Sequence, residues 1–203
     1  MFAATKGVNT HKGTIFSLRI LTGAVGVLKQ GNQMINQANL QRVVRQMLAD
    51  LLATDLDGLK KDTKLTAGEQ QYLTYGHTGI RGEAASGFPT IFEYGLPTLV
   101  NRQGATQNDR QLEALLVMTR HTEDSTLIKR AGDPAILKWK DQQLDHLFDL
   151  GELGTSEGRQ FLTALETTFS ASHLSLGGAA DLLIATIFLA KVMEGADNDE
   201  LND

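Results

Sequence analysis

The sequence predicts an all-α protein made of one compact helical domain over residues 1–203. Three observations support this fold class. Apolar residues recur at every third or fourth position along most of the chain, as they do on the buried face of a helix. No segment shows the alternation of apolar and polar residues that is typical of a half-buried strand. Prolines, which break helices, are rare in this sequence, where they stand only at Pro89, Pro97 and Pro134.

Composition limits the classes of protein that this chain can represent. The formal net charge of −5 argues against a broad nucleic-acid surface, which would carry an excess of basic residues. The chain has no cysteine, which excludes disulfides and thiolate metal sites and fits a reducing cytoplasm. The most apolar run, residues 179–193, is shorter than the roughly 20 residues that span a bilayer. We therefore predict a cytoplasmic protein that binds neither nucleic acid nor a membrane.

The N-terminal part of the chain predicts two long helices and a shorter one. Residues 12–30 are apolar enough to form a buried helix, with Thr10 as its N-cap. Residues 35–56 carry apolar side chains at helical spacing between polar ones, which predicts one amphipathic helix. A polar loop then leads to a short helix that Thr66 is placed to cap.

Helical periodicity disappears between residues 75 and 89, where glycines recur, and we predict the longest irregular segment there. Because irregular segments often carry binding residues, this segment is the first candidate for function. Further helices are predicted over residues 89–101, 107–122, 133–149, 155–171 and 178–194. The last of these is the most apolar and should be the most buried element, and residues 195–203 should form an acidic, frayed tail.

The segment at residues 7–13 stands immediately before the first buried helix. Backbone N–H groups at a helix start bind phosphate, and Lys12 in the first turn would add a cation. The alternative is an ordinary cap at this helix start with a solvated lysine. The candidate ligand-binding residues are Asn9, His11, Lys12 and Gly13.

The glycine-rich segment at residues 75–89 also contains His, Arg and Glu. Its glycines let the backbone approach a ligand closely, Arg81 offers a bidentate fork for phosphate, and Glu83 is suited to bind a metal or act as a base. The alternative is a surface loop with an Arg–Glu pair. The candidate residues are His77, Gly79, Arg81 and Gly82 for binding, and Glu83 for catalysis or metal binding.

Two later segments combine helix starts with carboxylates. Asp124 and Ser125 are placed to cap a turn, but Asp124 is also a candidate ligand for Mg²⁺ and Arg130 for phosphate. Gly177 and Gly178 open the most apolar helix, where two glycines at a helix start resemble a phosphate cradle, and Asp181 lies in its first turn. Helix-dipole stabilisation alone explains an acid at that position, but an unpaired buried aspartate is costly, so Asp181 should meet a metal, a cation or a ligand. The candidate ligand-binding residues of these two segments are Ser125, Arg130, Gly177 and Gly178. Together, these segments predict a phosphorylated ligand with a divalent metal.

Four motifs of this chain, in order, resemble those of the triphosphoribosyl-dephospho-CoA synthase (CitG/MdcB) family. They are Gly-Val-Asn-Thr-His-Lys-Gly at 7–13, Thr-Gly-Ile-Arg-Gly-Glu-Ala at 78–84 with Gly-Phe-Pro at 87–89, Asp-Ser-Thr-Leu at 124–127, and Gly-Gly-Ala-Ala-Asp-Leu-Leu at 177–183. The resemblance implies an all-helical enzyme that converts ATP and 3′-dephospho-CoA to triphosphoribosyl-dephospho-CoA and adenine. The product is the precursor of the prosthetic group of the citrate lyase or malonate decarboxylase acyl carrier protein.

The implied reaction is the attack of a ribose hydroxyl on the anomeric carbon of ATP, with adenine as the leaving group. It needs a base for the hydroxyl and an acid for adenine. By resemblance, Glu83 is the first candidate for base or metal ligand, and Asp124 and Asp181 are candidates for metal ligands or the acid. The cations implied to hold the triphosphate or the CoA diphosphate are Lys12, Arg81 and Arg130.

Family members also carry a Lys-Pro-Gly-Leu-Val-Asp-type and a His-Lys-Asp-type motif upstream of the motif found here at residues 7–13. The resemblance therefore implies the C-terminal two-thirds of a member, with these upstream motifs missing. Three interpretations follow: one half of a split enzyme completed by a second chain, a non-catalytic nucleotide-binding remnant, or a helical interaction module that binds no nucleotide. We expect the isolated chain to bind ATP weakly or not at all and to release no adenine, and a homodimer could cover its open apolar faces.

Overall fold

The computed structural model describes residues 11–59, 65–101 and 106–200, and the regular structure within these ranges is entirely helical, which confirms the predicted fold class. A π-helical turn, Thr90–Gly95, leads directly into the sixth helix, and a 3-10 turn, Glu152–Gly154, precedes the tenth. The α-helices are α1 (Lys12–Gln30), α2 (Gln37–Met47), α3 (Leu51–Asp55), α4 (Ala67–Tyr75), α5 (Gly79–Ala85), α6 (Leu96–Asn101), α7 (Gln107–Arg120), α8 (Ser125–Ala131), α9 (Ile136–Asp149), α10 (Ser156–Ala171) and α11 (Gly177–Glu200).

Helix α11 lies at the centre and packs against α1, α6, α7, α8 and the π-helical turn. The prediction that it is the most buried element is wrong, because Ile184 and Lys191 face solvent, whereas four of the six residues of the π-helical turn are buried. The acidic tail also begins later than predicted, since α11 continues to Glu200. None of the helices in the described ranges is long and apolar enough to cross a membrane.

The main hydrophobic core joins α1, α2, the π-helical turn and α11. Its fully buried side chains include Leu21, Leu40, Phe92 and Leu189. Each such side chain stabilises the fold by about 1.5–3 kcal/mol relative to exposure. A smaller cluster of leucines from α7 and α9 is packed against side chains of α10. The main core supports the helix starts that the motifs occupy, and the smaller cluster joins α9 and α10 to α7.

The helix predicted over residues 35–56 is broken into two, so this prediction is wrong. Leu48 ends α2, and the turn at residues 48–50 starts a separate α3. The apolar stripe of α2 is buried, whereas α3 contributes no buried residue, so the turn takes the chain away from the core. The capping prediction at the next helix is confirmed, because Thr66 and Glu69 form a reciprocal capping box at the start of α4.

The prediction of an irregular segment over residues 75–89 is wrong in its middle, which forms α5. This helix starts at Gly79, whose φ of +53° favours glycine. The side chain of Thr78 lies against the backbone of Gly82, where a Cβ would overlap the threonine hydroxyl. Gly82 therefore permits a close side-chain contact inside a helix and does not mark a flexible loop.

Candidate functional site

A cavity of about 190 Å³ lies between α5, the segment that joins α7 to α8, and the start of α11. Elements that are distant in sequence form its walls because α8 and α11 begin side by side. Five residues predicted from the sequence line it: Gly79, Gly82, Glu83, Ser125 and Gly178. The cavity is smaller than the roughly 300–1,000 Å³ of typical small-molecule sites, so it can enclose only part of a nucleotide.

Glu83 is the partly buried carboxylate of this cavity. The Thr90 backbone N–H donates to its Oε1 at 2.8 Å, and the Thr90 hydroxyl donates to its Oε2 at 3.0 Å. Glu83 thereby fixes the first turn of the π-helical segment to α5. Burial raises the pKa of Glu83, the two bonds from Thr90 oppose that rise, and the charge of Glu93 adds to it. A carboxylate with a raised pKa is a stronger base.

Asp124 is fully buried and serves two helix starts at once. Its Oδ1 accepts the N–H groups of Thr126 at 2.9 Å and Leu127 at 3.1 Å, which caps α8. Its Oδ2 accepts the N–H groups of Gly178 at 2.9 Å and Ala179 at 3.1 Å, which caps α11. Burial raises the pKa of Asp124, and these four bonds lower it. The side chain does not line the cavity.

The starts of α8 and α11 meet at a junction around Asp124, and this junction explains the two glycines at the start of α11. A Cβ on Gly178 would lie 3.0 Å from the Asp124 carboxyl carbon, and a Cβ on Gly177 would lie 3.0 Å from the side chain of Thr126. Larger residues would push α8 and α11 apart. The sequence suggested a phosphate cradle here, but the N–H group of Gly178 already donates to Asp124.

Asp181 faces α1 and is not part of the cavity wall. The Thr14 hydroxyl donates a hydrogen bond to its Oδ1, and a Cβ on Gly13 would overlap its Oδ2. Burial raises the pKa of Asp181, whereas the bonds from Thr14 and the nearby His11 lower it. The N-cap position of α1 belongs to His11, which makes no side-chain capping bond, while Asn9 and Thr10 lie outside the described residues. Lys12 is exposed in the first turn of α1.

The predicted phosphate-binding arginines do not meet at the cavity. Arg81 points towards α3 and α4, where its Nε lies 2.7 Å from Asp55 Oδ2 and its second terminal nitrogen lies 3.8 Å from Glu69 Oε1. Arg130 is exposed in the last turn of α8, where a cation is favourable to the helix dipole. Among the described residues that line the cavity there is no lysine or arginine.

The three carboxylates predicted to hold Mg²⁺ do not form a common ligand set. Glu83 lines the cavity, Asp124 is occupied by four backbone N–H groups, and Asp181 faces Thr14. Nowhere in the described ranges do three His, Asp or Glu side chains come together as a metal site would require. The residues present therefore do not fit a magnesium ion held by these three side chains.

His121 is a cavity residue that the sequence did not single out for a role. Its ring stacks on Tyr94, with ring centres 3.6 Å apart and planes inclined by 7°. Burial lowers the pKa of His121, and the charges of Arg120 and Lys140 lower it further. The adjacent Glu123 also lines the cavity, and its Oε2 lies 3.0 Å from Nδ1 of His77, a predicted binding residue. The only sequence signal was the position of His121 at a helix end beside a motif.

Comparison with known proteins gives a clear family assignment. The family model CitG, described as ATP:dephospho-CoA triphosphoribosyl transferase, matches residues 1–200. The chain therefore belongs to the CitG family. No solved structure matches the chain.

Three curated relatives illustrate the extent of the match. A probable 2-(5″-triphosphoribosyl)-3′-dephosphocoenzyme-A synthase of Lactiplantibacillus plantarum is 48% identical and covers 93% of this chain, which spans 66% of that relative. Protein CitXG of Leuconostoc mesenteroides subsp. cremoris is 42% identical over 95% of the chain and 42% of the relative. A probable synthase of the same name from Vibrio cholerae is 38% identical over 96% of the chain and 62% of the relative.

The chain thus spans between 42% and 66% of the length of these three relatives. The narrower prediction, that it corresponds to the C-terminal two-thirds of a member, is not borne out by these matches.

Proposed function

We propose that this member of the CitG family binds ATP at the cavity between α5, α8 and α11 and takes part in the transfer of its triphosphoribosyl group to 3′-dephospho-CoA. The observation that supports the proposal is the position of Glu83. It is a partly buried carboxylate that lines the cavity, and burial raises its pKa. The proposed product is the precursor of the citrate lyase or malonate decarboxylase prosthetic group.

In the proposed reaction, a ribose hydroxyl oxygen of dephospho-CoA bonds to the anomeric carbon of ATP as the carbon–nitrogen bond to adenine breaks. The hydroxyl gives its proton to Glu83, which later releases it to water, and the electrons of the broken bond leave with adenine, which takes up a proton from water. The bonds from Thr90 hold the carboxylate in place, and its raised pKa makes it a better proton acceptor.

His121 is the proposed partner of the departing adenine. Its lowered pKa keeps the imidazole neutral at neutral pH, so one ring nitrogen can donate a hydrogen bond to a nitrogen of adenine. Stacking on Tyr94 fixes the plane of the imidazole ring. Such a bond would stabilise the negative charge that develops on adenine as the glycosidic bond breaks.

The triphosphate is proposed to extend beyond the cavity towards the start of α1. His11 lies there, close to Asp181, the fifth residue of α11, and Lys12 follows it in the first turn of α1. Gly79, Gly82, Ser125 and Gly178 would contact the ribose and base in this proposal. Magnesium is usually bound by substrate phosphates with one or two carboxylates. We therefore propose that any Mg²⁺ arrives bound to the phosphates of ATP.

Two further proposals concern the compartment and the oligomeric state of the protein. We place it in the cytoplasm, because both proposed substrates are nucleotides of that compartment. We also propose a homodimer, because apolar side chains such as Val27 on α1 and Ile184 on α11 are exposed by 50% and 43%. Analytical ultracentrifugation would test the second proposal.

The test of the proposed function is adenine release from ATP and dephospho-CoA. The chain would be assayed alone and mixed with the part of the Lactiplantibacillus relative that it does not match. We expect release only in the mixture, and we expect Glu83→Gln to lower it by about 10²–10⁴-fold, the usual contribution of a general base. Glu194→Gln, at an exposed glutamate of α11 that does not line the cavity, is the matched control and should keep the rate.

His121→Phe is the second variant for this assay, because it keeps the stack on Tyr94 but has no ring nitrogen. We expect it to lower adenine release by about tenfold or more. An unchanged rate in Glu83→Gln would remove Glu83 from the reaction. ATP binding without adenine release in any mixture would instead favour the alternative function, a non-catalytic nucleotide-binding protein.

A further inference from the structure

A second cavity, of about 310 Å³, lies between α9, α10 and the segment that precedes α11. Its walls are mainly apolar and include Leu144, Leu162, Leu165, Phe169 and Leu174. A few polar groups stand among them. Small-molecule sites have this character: they are concave and mostly apolar, with a small number of polar groups that orient the ligand. This cavity is larger than the one that contains Glu83.

The charged groups of this cavity indicate which ligands it would accept. Lys140 is buried, and its ammonium group donates to the carbonyl oxygens of Thr119 at 2.6 Å and Thr122 at 3.0 Å. It also forms an ion pair with Asp141 at 2.9 Å. Its charge is therefore compensated within the protein, and the exposed Glu166 adds a negative charge to the cavity. Together these groups disfavour a phosphate and favour an uncharged ligand with N–H donors.

The two cavities lie on opposite sides of one wall. Thr119 lines the second cavity and Thr122 lines the first, and Lys140 bonds to both of their carbonyl groups. The other part of the wall is the start of α11, where Leu176 lines the second cavity and Gly178 lines the first. Because only this wall separates the two cavities, a ligand with a polar end and a long flexible arm is long enough to reach both.

We propose that the second cavity binds the pantetheine arm of dephospho-CoA while the nucleotide end of the same molecule lies beside Glu83. The arm is uncharged, carries two methyl groups that match the leucine walls, and has two amide N–H groups that match the oxygens of Gln143 and Glu166. The inference rests on the proposed function, because that function supplies the substrate.

The test compares dephospho-CoA with ADP, which shares the adenosine diphosphate portion but lacks the arm. Dissociation constants would be measured by calorimetry on the full chain. Leu165→Trp fills the cavity from α10, and Ser175→Phe fills it from the loop, so that one remains informative if the other does not fold. Val100→Trp, on the exposed surface of α6, is the matched control for adding a bulky side chain.

We expect the wild-type chain to bind dephospho-CoA about tenfold more tightly than ADP or better, because the arm buries apolar area. Either filled variant should bring the two dissociation constants together by weakening dephospho-CoA alone, whereas Val100→Trp should preserve the preference. A preference for dephospho-CoA that survives both filled variants, or no preference in the wild type, would overturn the proposal.

A failure of the proposed function would be visible separately. If the wild type binds neither nucleotide, free pantetheine becomes the probe, followed by changes in backbone amide NMR shifts. Shifts confined to residues that line the second cavity on α9 and α10 would support a pantetheine site without the proposed function. The lack of such shifts would overturn the site as well.

Discussion

Glu83 and Asp124 are both carboxylates that hold a helix start, and burial raises the pKa of both, yet their surroundings differ. Asp124 is fully buried and accepts four backbone N–H groups from two helices. Glu83 accepts two bonds from one residue, Thr90, and lines a cavity. A motif carboxylate whose oxygens are fully used by the backbone holds the site together, whereas one that keeps a side open to a cavity is available for chemistry.

The largest loss of stability is expected from a substitution at Asp124. Asp124→Asn replaces one carboxylate oxygen with an amide NH₂ group, which leaves two buried N–H groups facing a donor. Each unsatisfied buried donor costs about 1–3 kcal/mol, so the free energy of unfolding should fall by about 3 kcal/mol or more. Urea denaturation measures this change.

The control for Asp124→Asn is Asp133→Asn, at an exposed carboxylate that accepts a single N–H group, from Ala135. Asp133→Asn should lower the free energy of unfolding by about 0.5 kcal/mol or less, as is usual for surface substitutions. If the two variants were equally stable, Asp124 would not be the residue that holds the starts of α8 and α11 together.

A smaller loss of stability is expected when a side chain crowds the junction between the starts of α8 and α11. Gly178→Ala places a methyl group 3.0 Å from the Asp124 carboxyl carbon and should lower the free energy of unfolding by about 1–3 kcal/mol. Gly195→Ala, on the same helix, meets nothing within 4 Å and should raise it by about 0.5–1 kcal/mol. Opposite signs for one substitution on one helix would support the packing explanation, and a stable Gly178→Ala would argue against it.

The smallest effect on stability is expected at Glu83, and it depends on pH. Because the folded-state pKa is raised, Glu83 favours folding at low pH, and this contribution is lost as pH rises through the folded-state pKa. Glu83→Gln does not titrate and can keep both contacts with Thr90. Its free energy of unfolding relative to wild type should therefore rise with pH, by about 1.4 kcal/mol per unit of pKa shift.

Urea denaturation of the wild type and of Glu83→Gln, at pH values from below the ordinary glutamate pKa to neutral pH, measures this difference. The contributions of the other titrating groups are the same in both proteins and cancel. A difference that falls with pH would mean that the folded state lowers the pKa of Glu83.

Local sequence rules predicted much of this fold but less of its site. Thr66 with Glu69, and Asp124 before α8, follow short-range capping patterns that are visible in the sequence. The position of Arg81 was not visible, because its partner Asp55 belongs to another element. The same holds for His121, whose stack on Tyr94 forms only when α7 packs on the π-helical turn.

The roles of the glycines were also mispredicted from the sequence, and the reason is physical. A glycine can supply either unusual backbone angles or room for a close neighbour, and sequence alone does not distinguish these uses. Gly82 was interpreted as part of an irregular segment whose backbone approaches a ligand, but it lies inside α5 beneath Thr78. Gly177 and Gly178 were interpreted as a phosphate cradle, but they allow α8 and α11 to meet.

The most direct test of the difference between the two carboxylates is a carboxyl ¹³C NMR titration of Glu83 and Asp124, with and without millimolar ATP. We expect ATP to shift the carboxyl resonance and the pKa of Glu83, which lines the cavity, and to leave the resonance of the fully buried Asp124 almost unchanged. A response at Asp124 with none at Glu83, or a response at neither, would show that ATP does not bind beside Glu83.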